Sequence, residues 1–337
     1  MLAGLGLLLV VLAPAAPYFP SPAHAASATP RALRPGSPPT SDRLLEEMGQ
    51  PASPALQVLQ QQVYFRDGMA GTTSFPVIGG GSGILVDMDS NRILWAGNEH
   101  VRRAPASTTK MMTALVALQN FPLDQQVLVS ANAAGRDIVE TRMGLLTGER
   151  LTVRELLSGM LTVSANDAAV AMADGTVGMD DYVTAMNRQV TALGLEDTHF
   201  TNPVGYPDEP QEFSTAYDLA AIATAGYRNY PLFRELTASH DVYLPATATH
   251  QEYKLHNINH LLDIYPAAVG TKSGFTDDAG PCLVSMAVRN GHHLVAVLMG
   301  APRMFDQSRT LLEWGFVHDG LPPLYPSPSP SASAARR

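Results

Sequence analysis

The chain has 337 residues, of which 45% are hydrophobic, and a formal net charge of -9. This length and composition allow one large domain or two moderate ones, each with a substantial core. The basic residues are scattered rather than clustered, which excludes a phosphate-binding stripe, so nucleic acid is not an expected partner. Only Lys110, Lys254 and Lys272 are lysines among the 22 basic residues, and each is therefore a candidate for a specific role.

The first 25 residues predict an export signal. An apolar run from Leu2 to about Ala16 precedes Ala23-His24-Ala25, a small-x-small pattern typical of signal-peptide cleavage. No lysine or arginine precedes the run, which leaves open whether the segment is cleaved or the true start lies upstream. The run is short and flanked by prolines, so we expect no firm membrane anchor. These features predict an extracytoplasmic location, whether secreted, periplasmic or associated with the cell wall.

Composition divides the rest of the chain into three parts. Residues 26–75 are rich in Ala, Pro and Ser and predict a linker, with one short helix around Leu44 to Val63. Residues 76–320 predict the folded domain. Residues 321–337 contain PSPSPSASAARR and predict a disordered tail, because they have almost nothing to bury. The single cysteine, Cys282, cannot form an intramolecular disulfide and is expected to be a small buried hydrophobe.

The folded part begins with a predicted β-hairpin, in which Ile84-Leu85-Val86 and Ile93-Leu94-Trp95 flank a turn at Asp89-Ser90-Asn91. A helix is predicted from about Ser107. Its apolar residues surround more than one face, so we expect it to be buried in the centre of the domain. The middle of the chain then shows further helix signals: a capping box at Thr152 and Glu155, a helix from about Asp180 to Leu193 that stops at Gly194, and a cap at Ser214 or Thr215.

Strand periodicity returns after about residue 268. Pro281 to Arg289 and His292 to Met299 flank Asn290-Gly291, a strong hairpin signal, and a closing helix is predicted from about Phe305 to Trp314. Strands at both ends with helices between them predict an α+β fold. We expect one antiparallel sheet built from distant segments and flanked by helices, with a helical lobe inserted within it.

The first chemical constellation is Ser107-Thr108-Thr109-Lys110 at a predicted helix start. Residues three apart share a helix face, so the Ser107 hydroxyl and the Lys110 amine are expected to be neighbours. Serine becomes a good nucleophile when a base takes its proton, and a lysine can be that base if burial or a second cation keeps it neutral. The structural alternative is a serine N-cap beside a solvated lysine. The scarcity of lysine and the apolar helix around Lys110 argue against that alternative.

Two further triplets are weak alone. Ser164-Ala165-Asn166 lies between predicted helices and could be an ordinary cap, or could supply a proton-shuttling hydroxyl and a substrate-binding amide. Lys272-Ser273-Gly274 precedes the strand hairpin and could be a simple charged loop. The three segments together, in this order, are much more specific.

In these segments the sequence resembles the serine D-alanyl-D-alanine carboxypeptidases, the low-molecular-mass penicillin-binding proteins, with their motifs S-x-x-K, S-x-N and K-T-G. The resemblance covers about Ser82 to Phe316 and extends to neighbouring residues, including Asn166-Asp167-Ala168-Ala169, Asn202-Pro203-Val204-Gly205 and Ala279-Gly280-Pro281-Cys282. It implies a β-lactamase/transpeptidase-like fold and a hydrolase that removes the terminal D-alanine of peptidoglycan pentapeptides without a cofactor. It also implies that β-lactam antibiotics bind covalently.

The resemblance assigns roles to single residues. It makes Ser107 the acylated nucleophile, Lys110 the base and Ser164 a proton relay, with Asn166 holding the peptide. Four neighbouring residues complete the implied site. Lys272 raises the positive potential and helps to bind the terminal carboxylate, and Ser273 donates a hydrogen bond. Gly274 leaves the strand open to substrate because it has no side chain, and the backbone N–H of Phe275 forms an oxyanion hole with that of Ser107.

The sequence departs from the family pattern at several points. Ser273 replaces the usual threonine but keeps the hydroxyl, Ala165 replaces a common glycine, and Phe213 stands where many members have histidine. Many members end in an extra β-rich domain and an amphipathic membrane anchor, and we expect neither here.

Three other functions stay open. A D,D-endopeptidase that cuts cross-links would use the same acyl-enzyme. A serine β-lactamase would share the serine and lysine, but no Glu-x-x-Leu-Asn segment is present to activate a deacylating water, so slow release of an acyl group is favoured. A non-catalytic wall-binding module is disfavoured by the intact nucleophile, base and relay.

Four histidines are candidate metal ligands. His256 and His260 are four apart and could share a helix face, and His292-His293 lie beside the hairpin turn. No His-Glu-x-x-His pattern exists, and such spacing is common without ligands. We therefore expect no metal.

Overall fold

The computed structural model describes residues 56–69, 75–137, 139–207 and 212–324. The predicted signal segment, most of the predicted linker, and the tail after residue 324 lie outside these ranges. Within the described residues, no helix combines the length and apolar character that a membrane span requires.

In the described part of the chain, six strands form the main sheet, in the spatial order β1-β3-β2-β10-β9-β8. Their bounds are β1 Arg66–Asp67, β2 Ser82–Asp87, β3 Arg92–Gly97, β8 Ala268–Gly274, β9 Cys282–Arg289 and β10 His292–Met299. The five longer strands are antiparallel, which confirms a sheet built from both ends of the domain. The two-residue β1 pairs in parallel with β3, so the sheet is mixed rather than wholly antiparallel as expected.

Both predicted hairpins are present. Asn290 and Gly291 have φ angles of +49° and +82°, the left-handed values that a tight two-residue hairpin turn needs. The resulting register places His292 opposite Arg289 and Leu298 opposite Leu283. The sequence therefore defines the pairing of β9 with β10 through this turn.

Helices cover both faces of the sheet. Their bounds are α1 Lys110–Asn120, α2 Ala131–Ala134, α3 Val153–Thr162, α4 Asn166–Asp174, α5 Met179–Ala192, α6 Ala216–Asn229, α7 Pro231–Ala238, α8 Leu261–Ile264 and α9 Met304–His318. Two small two-stranded antiparallel sheets are also present, formed by β4 Gln126–Leu128 with β5 Arg150–Thr152 and by β6 Asp241–Leu244 with β7 Tyr253–His256. The capping box at Thr152 and Glu155, the cap at Thr215 and the stop at Gly194 are confirmed.

Alternating side chains of the strands supply two separate cores. On one face, Ile84, Val86 and Val295 join the large core that contains α1, α3, α4, α5 and α6. On the other face, Leu85 and Leu294 pack with α9. Every residue of α1 from Lys110 to Ala117 is buried, which confirms the prediction that this helix lies in the centre of the domain.

Residues 56–69, which composition placed in the linker, pack against the domain instead. We call this segment the N-terminal strap. Val63 and Phe65 are buried in the large core, and the side-chain amide of Gln189 bonds both the N–H and the C=O of Leu59, at 2.6 and 3.1 Å. The part of the predicted helix that falls within residues 56–63 is not helical. Its contacts are with residues far away in the sequence.

Candidate active site

A cleft of about 690 Å³ opens beside the start of α1, and all three predicted segments contribute to its wall. Six of the eight predicted site residues line it: Ser107, Ser164, Asn166, Ser273, Gly274 and Phe275. The side chains of Lys110 and Lys272 are fully or almost fully buried behind that wall. The fold therefore brings together segments that are more than 160 residues apart in the sequence.

Ser107 lies in a short 3-10 turn, Ala106–Thr109, which leads directly into α1. The predicted helix thus starts as a tighter turn and becomes α-helical at Lys110. The Lys110 side chain is 0% exposed, and its Nζ atom lies 2.8 Å from Ser107 Oγ and 2.7 Å from the carbonyl oxygen of Val204. The predicted contact between amine and hydroxyl is present in the structure.

Burial is the main reason that the pKa of Lys110 lies well below its usual value, and the nearby charge of Lys272 lowers this pKa further. Glu212 and Glu140 act in the opposite direction, while Arg136 again lowers the pKa. The two largest effects both lower the pKa, so Lys110 gives up its proton far more readily than an ordinary lysine. A neutral amine at hydrogen-bond distance can accept the Ser107 proton.

Lys272 lies in the middle of β8 and is 2% exposed. Burial lowers its pKa to about 7. Its Nζ atom donates to the carbonyl oxygen of Ser273 at 2.7 Å. The Lys272 charge therefore acts from behind the wall of the cleft, while Ser273 faces the cleft itself.

Gly274 makes the closest approach of β8 to the nucleophile. A Cβ atom at this position would lie 2.8 Å from the backbone nitrogen of Ser107 and 3.2 Å from that of Thr108. Only glycine allows the two backbones to approach this closely. The next residue, Phe275, is 64% exposed at the mouth of the cleft.

Ser164 and Asn166 come from the turn between α3 and α4. Ser164 is buried and has a φ angle of +63°. This left-handed conformation interrupts the helical path between α3 and α4. Asn166 is the first residue of α4, and its Nδ2 atom donates to Glu140 Oε2 at 2.5 Å. Ser164 lies between the two helices, as predicted, whereas Asn166, which was predicted to precede the second helix, begins it.

Two features of the site were not predicted from the sequence. The first is the Asn202 side chain, whose Oδ1 accepts the N–H groups of Val204 and Gly205 at 3.0 and 2.8 Å and so orients the Val204 carbonyl towards Lys110. The second is Glu140, a buried carboxylate on the cleft wall. The family-like Asn-Pro-Val-Gly run was a signal for the first feature, whereas no local pattern indicated the second.

His256 and His260 lie in different elements. His256 lies on β7 and pairs with Asp241, while His260 precedes α8 and pairs with Asp263. The idea that they share a helix face is therefore wrong. Among residues 56–69, 75–137, 139–207 and 212–324, no group of three or more His, Cys, Asp or Glu residues is placed to hold a metal ion. Cys282 is buried, as predicted.

Comparison with known proteins agrees with this geometry. Residues 69–303 match the D-alanyl-D-alanine carboxypeptidase family of serine peptidases, family S11. The chain is 36% identical over 242 residues to D-alanyl-D-alanine carboxypeptidase DacB2 of Mycobacterium tuberculosis, a match that covers 69% of this chain and 81% of that protein. It is 33% identical over 253 residues to DacF of Bacillus subtilis, covering 72% of this chain but only 64%, less than two thirds, of DacF.

Solved structures give the same result. A D-alanyl-D-alanine carboxypeptidase from Mycobacterium tuberculosis has a TM-score of 0.69 and 35% identity, covering 76% of this chain and 96% of that one. Penicillin-binding protein 6B of Escherichia coli has a TM-score of 0.68 and 33% identity, covering 75% and 81%. These matches confirm the predicted α+β, transpeptidase-like fold. The chain belongs to the D-alanyl-D-alanine carboxypeptidase family.

Proposed function

We propose that this chain is a serine D-alanyl-D-alanine carboxypeptidase that acts outside the cytoplasm on peptidoglycan stem peptides. The observation that carries the proposal is the completely buried Lys110 amine, 2.8 Å from a hydroxyl on the wall of the cleft. A lysine in this position with a strongly lowered pKa is suited to act as a base.

In the proposed reaction, neutral Lys110 takes the Ser107 proton while Oγ attacks the carbonyl carbon of the penultimate D-alanine. The negative charge that develops on the carbonyl oxygen is stabilised by the backbone N–H groups of Ser107 and Phe275. The close approach at Gly274 supports this pairing of donors. The C–N bond then breaks, Ser164 relays a proton to the departing D-alanine, and water later hydrolyses the ester on Ser107.

Peptide binding is assigned to the opposite walls of the cleft. Asn166 holds the peptide on one side, and the Ser273 hydroxyl bonds the terminal carboxylate on the β8 side. Lys272 is buried, so its contribution to carboxylate binding is the potential of its charge rather than an exposed contact. The same charge helps to keep Lys110 neutral.

Fast β-lactam hydrolysis is disfavoured. The glutamate-activated water with which class A β-lactamases deacylate rapidly requires a carboxylate that is free to accept a proton. Glu140 lies on the cleft wall, but Arg136 bonds both of its oxygens and Asn166 bonds one of them. We therefore propose a long-lived penicilloyl-enzyme rather than a β-lactamase.

The test uses protein that starts at residue 26, so that the predicted signal is removed and the linker is kept. We expect benzylpenicillin to add the mass of one penicilloyl group at Ser107, and Ser107→Ala to gain none. A pentapeptide ending in D-Ala-D-Ala should release free D-alanine. Labelling at another residue, or equal labelling of the variant, would refute the assignment. Release of D-alanine from cross-linked dimers alone would favour the endopeptidase.

A further inference from the structure

The loop that carries Glu140 is fastened to the start of α4. The Asp167 carboxylate accepts three consecutive backbone N–H groups, those of Met143, Gly144 and Leu145, at 2.8 to 3.0 Å. In addition, the N–H of Asn166 donates to the carbonyl oxygen of Thr141 at 2.8 Å. These bonds place the Glu140 side chain beside the Asn166 amide.

Arg136 holds the Glu140 carboxylate in a two-point ion pair. Its Nε lies 3.0 Å from Oε2 and its Nη2 lies 2.7 Å from Oε1. The Glu140 side chain is 7% exposed, so this charge is paired and largely shielded from water. Such two-point pairs fix orientation as well as charge.

Glu140 determines which end of the Asn166 amide faces it. Nδ2 donates to Glu140 Oε2 at 2.5 Å, while Oδ1 is buried and has no hydrogen-bond partner. Rotating the amide by 180° would put Oδ1 against a carboxylate, so two acceptors would meet and a charge-assisted bond would be lost. Because Oδ1 is buried, the amide can meet a ligand in the cleft only through the second N–H of Nδ2.

We propose that Glu140, held by Arg136, is a positioning residue that fixes the Asn166 amide so that Nδ2 donates to a carbonyl oxygen of the bound peptide. The proposal rests on the function given above, since that function places an amide ligand in this cleft. Glu140 does not touch the reacting atoms. Because Glu140 acts through Asn166, the proposal can be tested by substituting the two residues singly and together.

The experiment compares Glu140→Gln, Asn166→Ala and the double variant in acylation by a fluorescent penicillin. The dissociation constant of the first complex and the rate constant of acylation are measured separately. Glutamine keeps the shape but removes the charge that forbids the flipped amide. We expect Glu140→Gln to lower the second-order acylation constant about tenfold, the difference between a charged and a neutral hydrogen-bond acceptor, and mainly through weaker binding.

The comparison is made on the high-pH plateau of the acylation profile, where the effect of the Glu140 charge on the pKa of Lys110 no longer changes the rate. There, in the Asn166→Ala background, the same Glu140→Gln change should alter acylation less than about twofold, because the group that Glu140 positions is gone. Glu235→Gln is the matched control, since Glu235 pairs with Arg154 at 2.6 Å on the exposed surface. It should leave acylation unchanged. Melting temperatures identify any variant that loses activity through unfolding.

Two results would overturn the proposal: wild-type binding and acylation in Glu140→Gln, or effects of the two substitutions that simply add. Either result would leave wild-type labelling at Ser107 intact and would thus count against the positioning role alone. Failure of the wild-type protein to acquire a penicilloyl group would instead count against the proposed function.

Discussion

Gly205 lies against the backbone that precedes the nucleophile, and its replacement by alanine should damage the site without touching any reacting group. A Cβ atom at Gly205 would lie 1.8 Å from the carbonyl oxygen of Ala106 and 3.0 Å from the nitrogen of Ser107. An ordinary C···O contact is about 3.3 Å, so one backbone must move by roughly 1.5 Å. Either Ser107 or the neighbouring Val204 carbonyl, which bonds Lys110, would be displaced.

The expected magnitude has two parts. Gly205 has a φ angle of +82°, and a side chain in this region costs about 1–2 kcal/mol. Overpacking against backbone atoms adds about 1–3 kcal/mol, so Gly205→Ala should lower the free energy of unfolding by about 2–5 kcal/mol. A displacement of about 1 Å at the reacting centre should lower the second-order acylation constant about a hundredfold.

Gly148→Ala separates the cost of a side chain at a positive φ angle from the cost of overpacking. Gly148 has a φ angle of +89°, but nothing lies within 4 Å of the position its Cβ would take. This control should show the backbone cost alone and acylate at the wild-type rate. Penicillin acylation and urea denaturation are measured for both variants. If folded Gly205→Ala acylates within threefold of the wild type, the argument from close packing is wrong.

Two further predictions concern stability. Burial lowers the pKa of Lys272 from its usual 10.5 to about 7, so the unfolded chain binds more protons than the folded one between these values, and stability should rise with pH. From pH 6 to 9 this contributes about 3 kcal/mol. In urea denaturation, Lys272→Met should remove most of that rise. If the pH dependence of stability is unchanged, folding does not lower the pKa of Lys272. Gln189→Ala leaves the N–H and C=O of Leu59 without their partner and should cost about 2 kcal/mol. The exposed Gln62→Ala serves as its control, and equal stability of the two variants would contradict the role of the N-terminal strap.

Local signals in the sequence predicted much of the fold. The Asn290-Gly291 turn and the Thr152–Glu155 capping box act over a few residues, and both are present. The segment around Ser107 and Lys110 was predicted for the same reason, because a spacing of three residues fixes their relation on a helical turn. The resemblance supplied what spacing alone could not, namely that Ser164 and Lys272 belong to the same site.

Features that depend on distant partners were not predicted. The N-terminal strap has the composition of a linker, and its Leu59 is held by Gln189, 130 residues away. Glu140 contacts Asn166 across 26 residues, and Glu140 itself lies in a segment without helix or strand. The burial of Lys272 depends on the packing around β8, so a carboxylate-binding lysine and a buried one give the same sequence pattern.

The most direct test of the account is the pH dependence of acylation in the wild-type protein. If buried Lys110 is the base for Ser107, the second-order acylation constant should rise with pH along a limb whose midpoint lies well below 10.5, the usual pKa of lysine. Lys110→Arg, which cannot lose its proton near neutral pH, should not acylate. A midpoint near 10.5, or acylation of the arginine variant at the wild-type rate, would contradict the claim.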